Sequence, residues 1–404
     1  MKKYETYKDS GLEWLGMVPK HWEIDKLKYQ FGLVTAPSES SNKIGLENIE
    51  SATGRFIKTD SDFEGNGIAF LPNDIVYGKL RPYLQKVWLA EFSGSAVGDF
   101  YVFRCNKGTY PVYVKYLLLS HNFTVEADGS TYGAKMPRVS YEFVANLKWA
   151  MPPLSEQRTI ASYLDHKVGQ IDALISEKEK MVEDLKAYRL SLITETVTKG
   201  LDKGMEMKDS GVEWIGKIPQ NWKLLKLKRI VNLKSGTSLT SDRILDEGKY
   251  QVFGGNGPRG YIDDYTNEGN FVLIGRQGAL CGNINYANGK FWATEHAIIC
   301  YPLKEIDTIW LGETLRAMNL NQYSISAAQP GLAVERINEL LIPTPSISEQ
   351  KKISSYLKLK ITQIESAISE QEHQLSDLKS YKSSIITEAV TGKIDLRDWQ
   401  TKNS

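Results

Sequence analysis

Two short stretches carry the residue types that read nucleic acid. Tyr77-Gly78-Lys79-Leu80-Arg81-Pro82-Tyr83, with Lys86 just beyond, joins long cations to an aromatic ring and to Gly-Pro turn residues behind a strand-like run. Arg276-Gln277-Gly278 follows a second strand-like run, 271–274. In the major groove Arg pairs bidentately with guanine, and Gln or Asn with adenine. The same side chains on phosphate position a protein without specifying a sequence. Lys135, Arg138, Asn256, Arg259 and Gln329 lie in similar Gly- or Pro-bearing loops. Taken singly, solvated charge or phosphate contact explains each of these residues better than base reading. Taken as a set, Lys79, Arg81, Tyr83, Lys86, Lys135, Arg138, Asn256, Arg259, Arg276, Gln277 and Gln329 are the candidate DNA-binding residues.

The motifs of enzyme chemistry are missing. Gly254-Gly255-Asn256-Gly257 lacks the spaced glycines of a dinucleotide loop, and Pro258 to Ile262 continue as turn and strand. Pro152-Pro153 is preceded by Met151 and followed by Leu154, neither of which replaces the amide or the stacking ring of an amino-methyltransferase motif. There is no P-loop. His21, His121, His166, His296 and His373 are scattered without ligand spacing, and no metal site is expected. Asp263, Asp264 and Glu295 lack the acidic-x-Lys partner of a nuclease cluster. No catalytic residue is assigned.

The elements that must position the candidate residues are written twice. Ser155-Glu156-Gln157, Ile160, Tyr163 and Leu164 return as Ser348-Glu349-Gln350, Ile353, Tyr356 and Leu357, and Thr198 returns as Thr391, always 193 positions on. Leu164, Val168, Ile171, Ile175, Val182, Leu185 and Leu192 alternate steps of four and three, interrupted by Lys178 and Arg189. Leu357, Ile361, Ile364, Ile368, Leu375, Leu378 and Ile385 fill the same slots, with Gln371 and Lys382 at the interruptions. This is the seam of a coiled coil, and polar residues in a seam fix register. Each helix follows a Pro-bearing turn, and Ser155 and Ser348 are the expected N-caps. About 40 residues at 1.5 Å rise make a rod of roughly 60 Å, whose apolar stripe is most simply buried against its copy.

Residues 7–28 are doubled as well. Lys8-Asp9-Ser10-Gly11, Trp14, Gly16, Pro19 and Trp22 return 200 positions on, as Lys208-Asp209-Ser210-Gly211, Trp214, Gly216, Pro219 and Trp222. Trp beside Gly and Pro caps a small core more often than it stacks on bases. The chain is thus two tandem units of opening motif, globular region and long helix, a strong repeat signal. The globular regions align loosely, with Tyr77-Gly78-Lys79 opposite Ile274-Gly275-Arg276 and Pro137 opposite Pro330, but otherwise diverge. Strands are expected at 68–71, 75–77, 86–89, 100–103, 250–253, 271–274 and 297–300, with short helices near 112–120 and 308–318.

The 404 residues suit two to three domains, and a formal charge of +1 argues against a protein that coats nucleic acid nonspecifically. Cys105, Cys281 and Cys300 lack paired spacing, which suits a reducing cytoplasm. No stretch is long and apolar enough for a membrane span.

The tandem order resembles the DNA specificity (S) subunit of type I restriction-modification systems. The resemblance is carried by Lys8-Asp9-Ser10-Gly11 with Trp14, Gly16, Pro19 and Trp22, by Tyr77 to Pro82, by Gly254 to Gly257, by Ile274 to Gly278, and by Pro152 or Pro345 ahead of Glu156-Gln157 or Glu349-Gln350. It covers essentially the whole chain. It implies an α+β fold with two mixed α/β target-recognition domains in tandem. Each would be followed by a long helix, the helices pairing as an antiparallel coiled coil with pseudo-two-fold symmetry. The expected boundaries are 1–154 and 201–347 for the domains, 155–200 and 348–395 for the spacer helices, and 396–404 for a tail. It further implies a non-catalytic, cytoplasmic subunit that reads a bipartite duplex DNA target, one half-site per domain. Methylation (M) subunits, two of them, and restriction (R) subunits would be the partners. S-adenosylmethionine, ATP and Mg would sit on those partners, with no cofactor in this chain. The competing readings are a self-sufficient DNA methyltransferase/nuclease with an unrecognised active site, and a coiled-coil adaptor without a DNA role.

Overall fold

The structure is a computed structural model that describes residues 2–278, 280–324 and 331–400. The chain divides into two compact units: Met1–Glu179 with His373–Ser404, and Lys180–Glu372. Both dividing lines cut a long helix, Leu154–Lys199 or Ile347–Val390.

In the first unit the opening motif is a hairpin of Tyr7–Asp9 and Met17–Pro19. Glu23–Lys26 then pairs antiparallel with Lys148–Met151, so the globular region starts and ends side by side. Between them lies a four-stranded sheet in the order Phe31–Val34, Phe100–Cys105, Ile75–Gly78, Val87–Leu89, and a second in the order Pro37–Ser38, Gly67–Phe70, Gly94–Ala96, Lys43–Ile44. The apolar runs of the first sheet are continuous because both faces are covered. Ile75, Tyr77 and Phe103 join the core under the helix Pro111–Leu119, while Val76, Phe100 and Val102 join a separate core with Phe70 and Trp88.

The second unit repeats the frame. Met207–Asp209 pairs with Lys217–Pro219, and Lys223–Lys226 with Leu341–Thr344. Its six-stranded sheet runs Val231–Ser235, Ala297–Pro302, Asn267–Gly275, Ile284–Ala293, Tyr250–Gly254, Gly257–Ile262, with the helix Thr308–Ala317 covering one face. The first four strands follow the same order as in the first unit. The divergence lies in the remainder, a separate small sheet there and two added strands here. Ile284–Ala293 was not expected as a strand, because Asn285, Asn288, Gly289 and Lys290 break its apolar pattern.

Within each unit the two helix halves run antiparallel. In the first, Asp172 pairs with Lys382 at 2.8 Å and Glu179 with Lys379 at 3.1 Å. Leu164, Val168, Ile171 and Ile385 are buried in its core, with Ile175 and Leu378 packed against them. In the second, Arg189 meets Glu365 at 3.2 Å and Lys186 meets Glu372 at 3.9 Å. Leu357 is buried in that core with Ile361 packed on it, and Val182, Ile364 and Ile368 are buried as well. Val182 and Leu375 are buried on the seam and Leu185 and Leu192 half-buried. Two of the polar interruptions, Lys382 and Arg189, are therefore paired with acids, and the repeat is kept: Asp172 and Glu365 are equivalent positions, as are Arg189 and Lys382.

The N-caps differ from expectation. The helices begin at Leu154 and Ile347, which places Ser155 and Ser348 inside the first turn. The Pro153 carbonyl takes the N–H groups of Glu156 and Gln157 (2.9 and 3.0 Å), and the Ser346 hydroxyl takes that of Glu349 (3.3 Å). The reason lies in the next two side chains, which must face the globular region. Glu156 accepts from Trp22 Nε1 (3.2 Å), the Tyr4 hydroxyl and His21 Nε2 (2.8 Å), and Glu349 accepts from Trp222 Nε1 (2.9 Å). Gln157 accepts from the Tyr110 amide and donates to the Pro152 carbonyl, and Gln350 does the same with Asp307 and Pro345. The doubled Glu-Gln pair is thus a clamp joining each long helix to its globular region. Trp22 and Trp222 are buried, and the half-buried Trp14 lies 5.0 Å from Trp149, so the tryptophans pack rather than stack on a ligand.

Each long helix stops at a left-handed Gly, Gly200 (φ 74°) or Gly392 (φ 71°), lying against the tryptophan of its own unit. A Cβ on Gly392 would fall 2.3 Å from Pro19 Cδ, while one on Gly200 would fall 3.1 Å from Trp222 Cζ2. Gly392→Ala is expected to cost more than the ~1–2 kcal/mol of the left-handed backbone alone, and Gly200→Ala about that amount. Urea unfolding of the two variants checks the order, and equal losses would count against the contact. Beyond Gly392 the chain returns to the first strands: Lys393 Nζ donates to the carbonyls of Leu15 and Met17, and the Asp395 amide to that of Lys2. Among the described residues no helix is long and apolar enough to cross a membrane.

Candidate nucleic-acid interface

Among the described residues, the candidates gather at the same sheet end in each unit. Gly78 lies opposite Phe100 across the sheet, and Gly275 opposite Ala297. One residue past each glycine comes a cation. Lys79 donates its amide to the Asp99 carbonyl (2.9 Å) and accepts from Val139 (3.1 Å). Arg276 donates to the His296 carbonyl (2.8 Å) and accepts from Leu332 (2.9 Å). Lys79 and Arg276 therefore hold equivalent places, as the alignment of their neighbours suggested. Pro330, aligned with Pro137, lies outside the described residues.

In the first unit two loops, 79–83 and 132–139, run side by side. Arg81 donates its amide to the Pro137 carbonyl (2.8 Å), and Leu80 bridges to Arg138. Arg81 is exposed with left-handed backbone (φ 52°), and Gln85, four residues on, is left-handed too (φ 50°). Two such residues in one turn are strained. Gln85 holds the turn by donating to the Leu119 carbonyl (3.3 Å) and the Thr124 hydroxyl (2.6 Å). Tyr83 projects from it, 52% exposed. Lys79 lies 3.9 Å from the Asp99 carboxylate and above the Tyr101 ring. Asp99 takes two hydrogen bonds from Arg138, at 2.9 and 2.8 Å. These bonds hold its carboxyl below the usual range. Lys135 is exposed on the second loop, as are Tyr132 and Met136. Lys86 has a different task. Its ammonium donates to the carbonyls of Leu46 (2.8 Å) and Ile49 (2.7 Å), and burial lowers its pKa, so it braces the 46–49 loop.

In the second unit Asn256, Arg276 and Gln277 converge. Gly275 permits this, since a Cβ there would fall 2.1 Å from the Gly255 carbonyl oxygen. Asn256 accepts from the Asn283 amide (2.7 Å), Arg276 Nη1 donates to the Ser235 hydroxyl (3.2 Å), and Gln277 Oε1 lies 3.2 Å from His296 Nδ1. Arg259 is exposed on Gly257–Ile262, its side chain lying over Gly254. Gln329 lies outside the described residues. Among the described residues no cluster of His, Cys, Asp or Glu could hold a metal ion.

Sequence reasoning missed Tyr132, Asp99 and His296. Asp99 and His296 stand in no motif, and only the repeated strand order makes them equivalent. Each unit thus offers cations, amides and exposed aromatic or polar side chains on adjoining loops, the chemistry of phosphate contact and base-edge hydrogen bonding.

A family model described as the type I restriction modification DNA specificity domain matches residues 219–373. The type I restriction enzyme EcoprrI specificity subunit of Escherichia coli is 42% identical over 135 residues, 32% of this chain and 34% of that protein. The aligned part thus spans about a third of that relative's length. A putative type I restriction enzyme MjaX specificity subunit of Methanocaldococcus jannaschii is 23% identical over 98% of both chains. Among solved structures, a chain from work on complex assembly and conformational transition of the type I R-M system has the same fold. Its TM-score is 0.74 at 18% identity, over 93% of this chain and 99% of that one.

Proposed function

We propose that this chain is a DNA specificity subunit of the type I restriction-modification family and that it binds duplex DNA at a bipartite target. Each globular region reads one half-site. The paired helices set the separation, and methylation and restriction subunits dock on the chain and perform the chemistry with S-adenosylmethionine, ATP and Mg. The observation that carries this reading is the doubled sheet end. Lys79 and Arg276 are held by the same backbone bonds, while the residues around them differ: Arg81, Tyr83, Lys135 and Arg138 on one side, Asn256, Arg259 and Gln277 on the other. A shared frame with unlike side chains is what two different half-sites demand. Lys86 serves the frame.

The test is methylation by the chain together with its methylation subunits, read by sequencing the modified bases. A bipartite motif with an unread spacer is expected. Lengthening both long helices by whole turns is expected to change the permitted spacer and leave the half-sites alone, since half-sites a helical turn apart lie roughly 34 Å from each other. Altered half-sites with an unchanged spacer would count against the helices as a ruler. Methyl transfer by the chain alone would establish the self-sufficient enzyme instead.

A further inference from the structure

Asp99 and His296 hold the same place in their units. Each immediately precedes the strand that lies second in the sheet order, Phe100–Cys105 or Ala297–Pro302. Each gives its backbone carbonyl to the cation beyond the neighbouring strand. Their side chains hold different groups. The Asp99 carboxylate grips Nε and Nη2 of Arg138, whereas His296 Nδ1 lies 3.2 Å from Gln277 Oε1. The place is common to both units and the chemistry is not, which marks it as a point where specificity is set.

A guanidinium held along one edge by a carboxylate has lost its rotamer freedom before any ligand arrives. Its other edge, Nη1 with the second hydrogen of Nη2, keeps the spacing that fits O6 and N7 of guanine. The Arg138 side chain stays 30% exposed, flanked by the exposed Tyr132 and Met136. Its Nη1 makes a long 3.3 Å contact with the Met136 carbonyl, one that a closer acceptor displaces readily. Among the described residues no carboxylate grips the solvated cations Arg81 and Lys135 in this way, and they suit phosphate, which accepts from many directions. We infer that Arg138 reads a guanine in the half-site of the first globular region, and that Asp99 is the positioning residue that aims it. The inference rests on the DNA reading above.

The experiment uses the full chain in complex with its methylation subunits. The motif of the unaltered complex is determined first; without any sequence preference there, the DNA reading itself fails. Given a motif, Asp99→Asn and Arg138→Lys are each compared with it. Both are expected to lower discrimination for guanine at one position of one half-site by ~10- to 100-fold, the value of a bidentate pair. The other half-site and the spacer should stay unchanged. Arg138→Lys keeps the charge, so its salt dependence of binding should also stay unchanged. If Arg138 merely clamps its loop to the strand, methylation falls alike at every site and the motif survives, which overturns the inference; so does an unaltered motif at full activity. Hydrogen exchange of 75–78 and 100–105 checks the fold. Should Asp99→Asn disturb it, Asp99→Glu keeps the charge, displaces the guanidinium, and is expected to blur the same single position.

Discussion

Asp172→Ala is expected to destabilise the first unit by ~3–5 kcal/mol, and Glu365→Ala, at the equivalent position of the repeat, to cost the second unit less than ~1 kcal/mol. The two pairs hold equivalent places in the repeat and differ in their surroundings. Asp172 and Lys382 have side chains 9% and 8% exposed, and Arg55 adds a second contact to Asp172 at 2.9 Å. Removing the carboxylate leaves the Lys382 ammonium out of water without its partner. Glu365 and Arg189 are 56% and 35% exposed, so water takes over when the pair is broken. A buried pair is seldom worth more than well-packed apolar side chains. Asp172→Leu with Lys382→Leu is therefore expected to recover most of the loss. Hydrogen exchange resolved by unit reads all three. Equal costs for the single substitutions, or a double variant worse than either, would show that burial is not what separates the pairs.

Trp22→Ala is expected to cost the first unit ~3–5 kcal/mol, the range for deleting a fully buried large ring. The ring is 0% exposed, lies edge-on to Tyr4, and covers the end of the helix at Gly392. Its loss also takes one of the donors from the buried Glu156 carboxylate. Trp222→Ala should do the same to the second unit, where Glu349 loses its indole donor. A circular-dichroism melt of each variant, paired with limited proteolysis to assign the weakened unit, tests this. Full stability with loss of DNA binding would mean that these rings face a ligand after all.

The frame was legible because it is periodic and written twice. The seam from Leu164 to Leu192 needs only the steps of four and three, and its copy from Leu357 to Ile385 fixes the register. Strands such as Ile75–Gly78 and Ala297–Pro302 could be read because both faces are buried and their apolar runs are unbroken. Ile284–Ala293 could not, since Asn288-Gly289 in its middle reads as a turn. The candidate loops were legible as chemistry and not as geometry. Arg138 and Lys86 look alike in a sequence, yet one guanidinium is aimed by Asp99 and the other ammonium is spent on two carbonyls. Partners that lie 39 or 40 residues away leave no local trace. Glu156 and Glu349 lie in the first helical turn, where an acid suits the dipole; that they also seize a distant indole is a tertiary fact.

The connectivity of the two units has a consequence for biosynthesis. The second unit is one continuous stretch, Lys180–Glu372, whereas the first is closed by His373–Ser404. A growing chain can therefore complete the later unit first. Until its last stretch emerges, the earlier unit lacks Lys382 for Asp172 and the glycine that lies against Trp22. Its unfinished apolar seam stays without its partner for the seconds that synthesis still needs, and a message cut short in that interval yields a protein with one finished unit and one that cannot close.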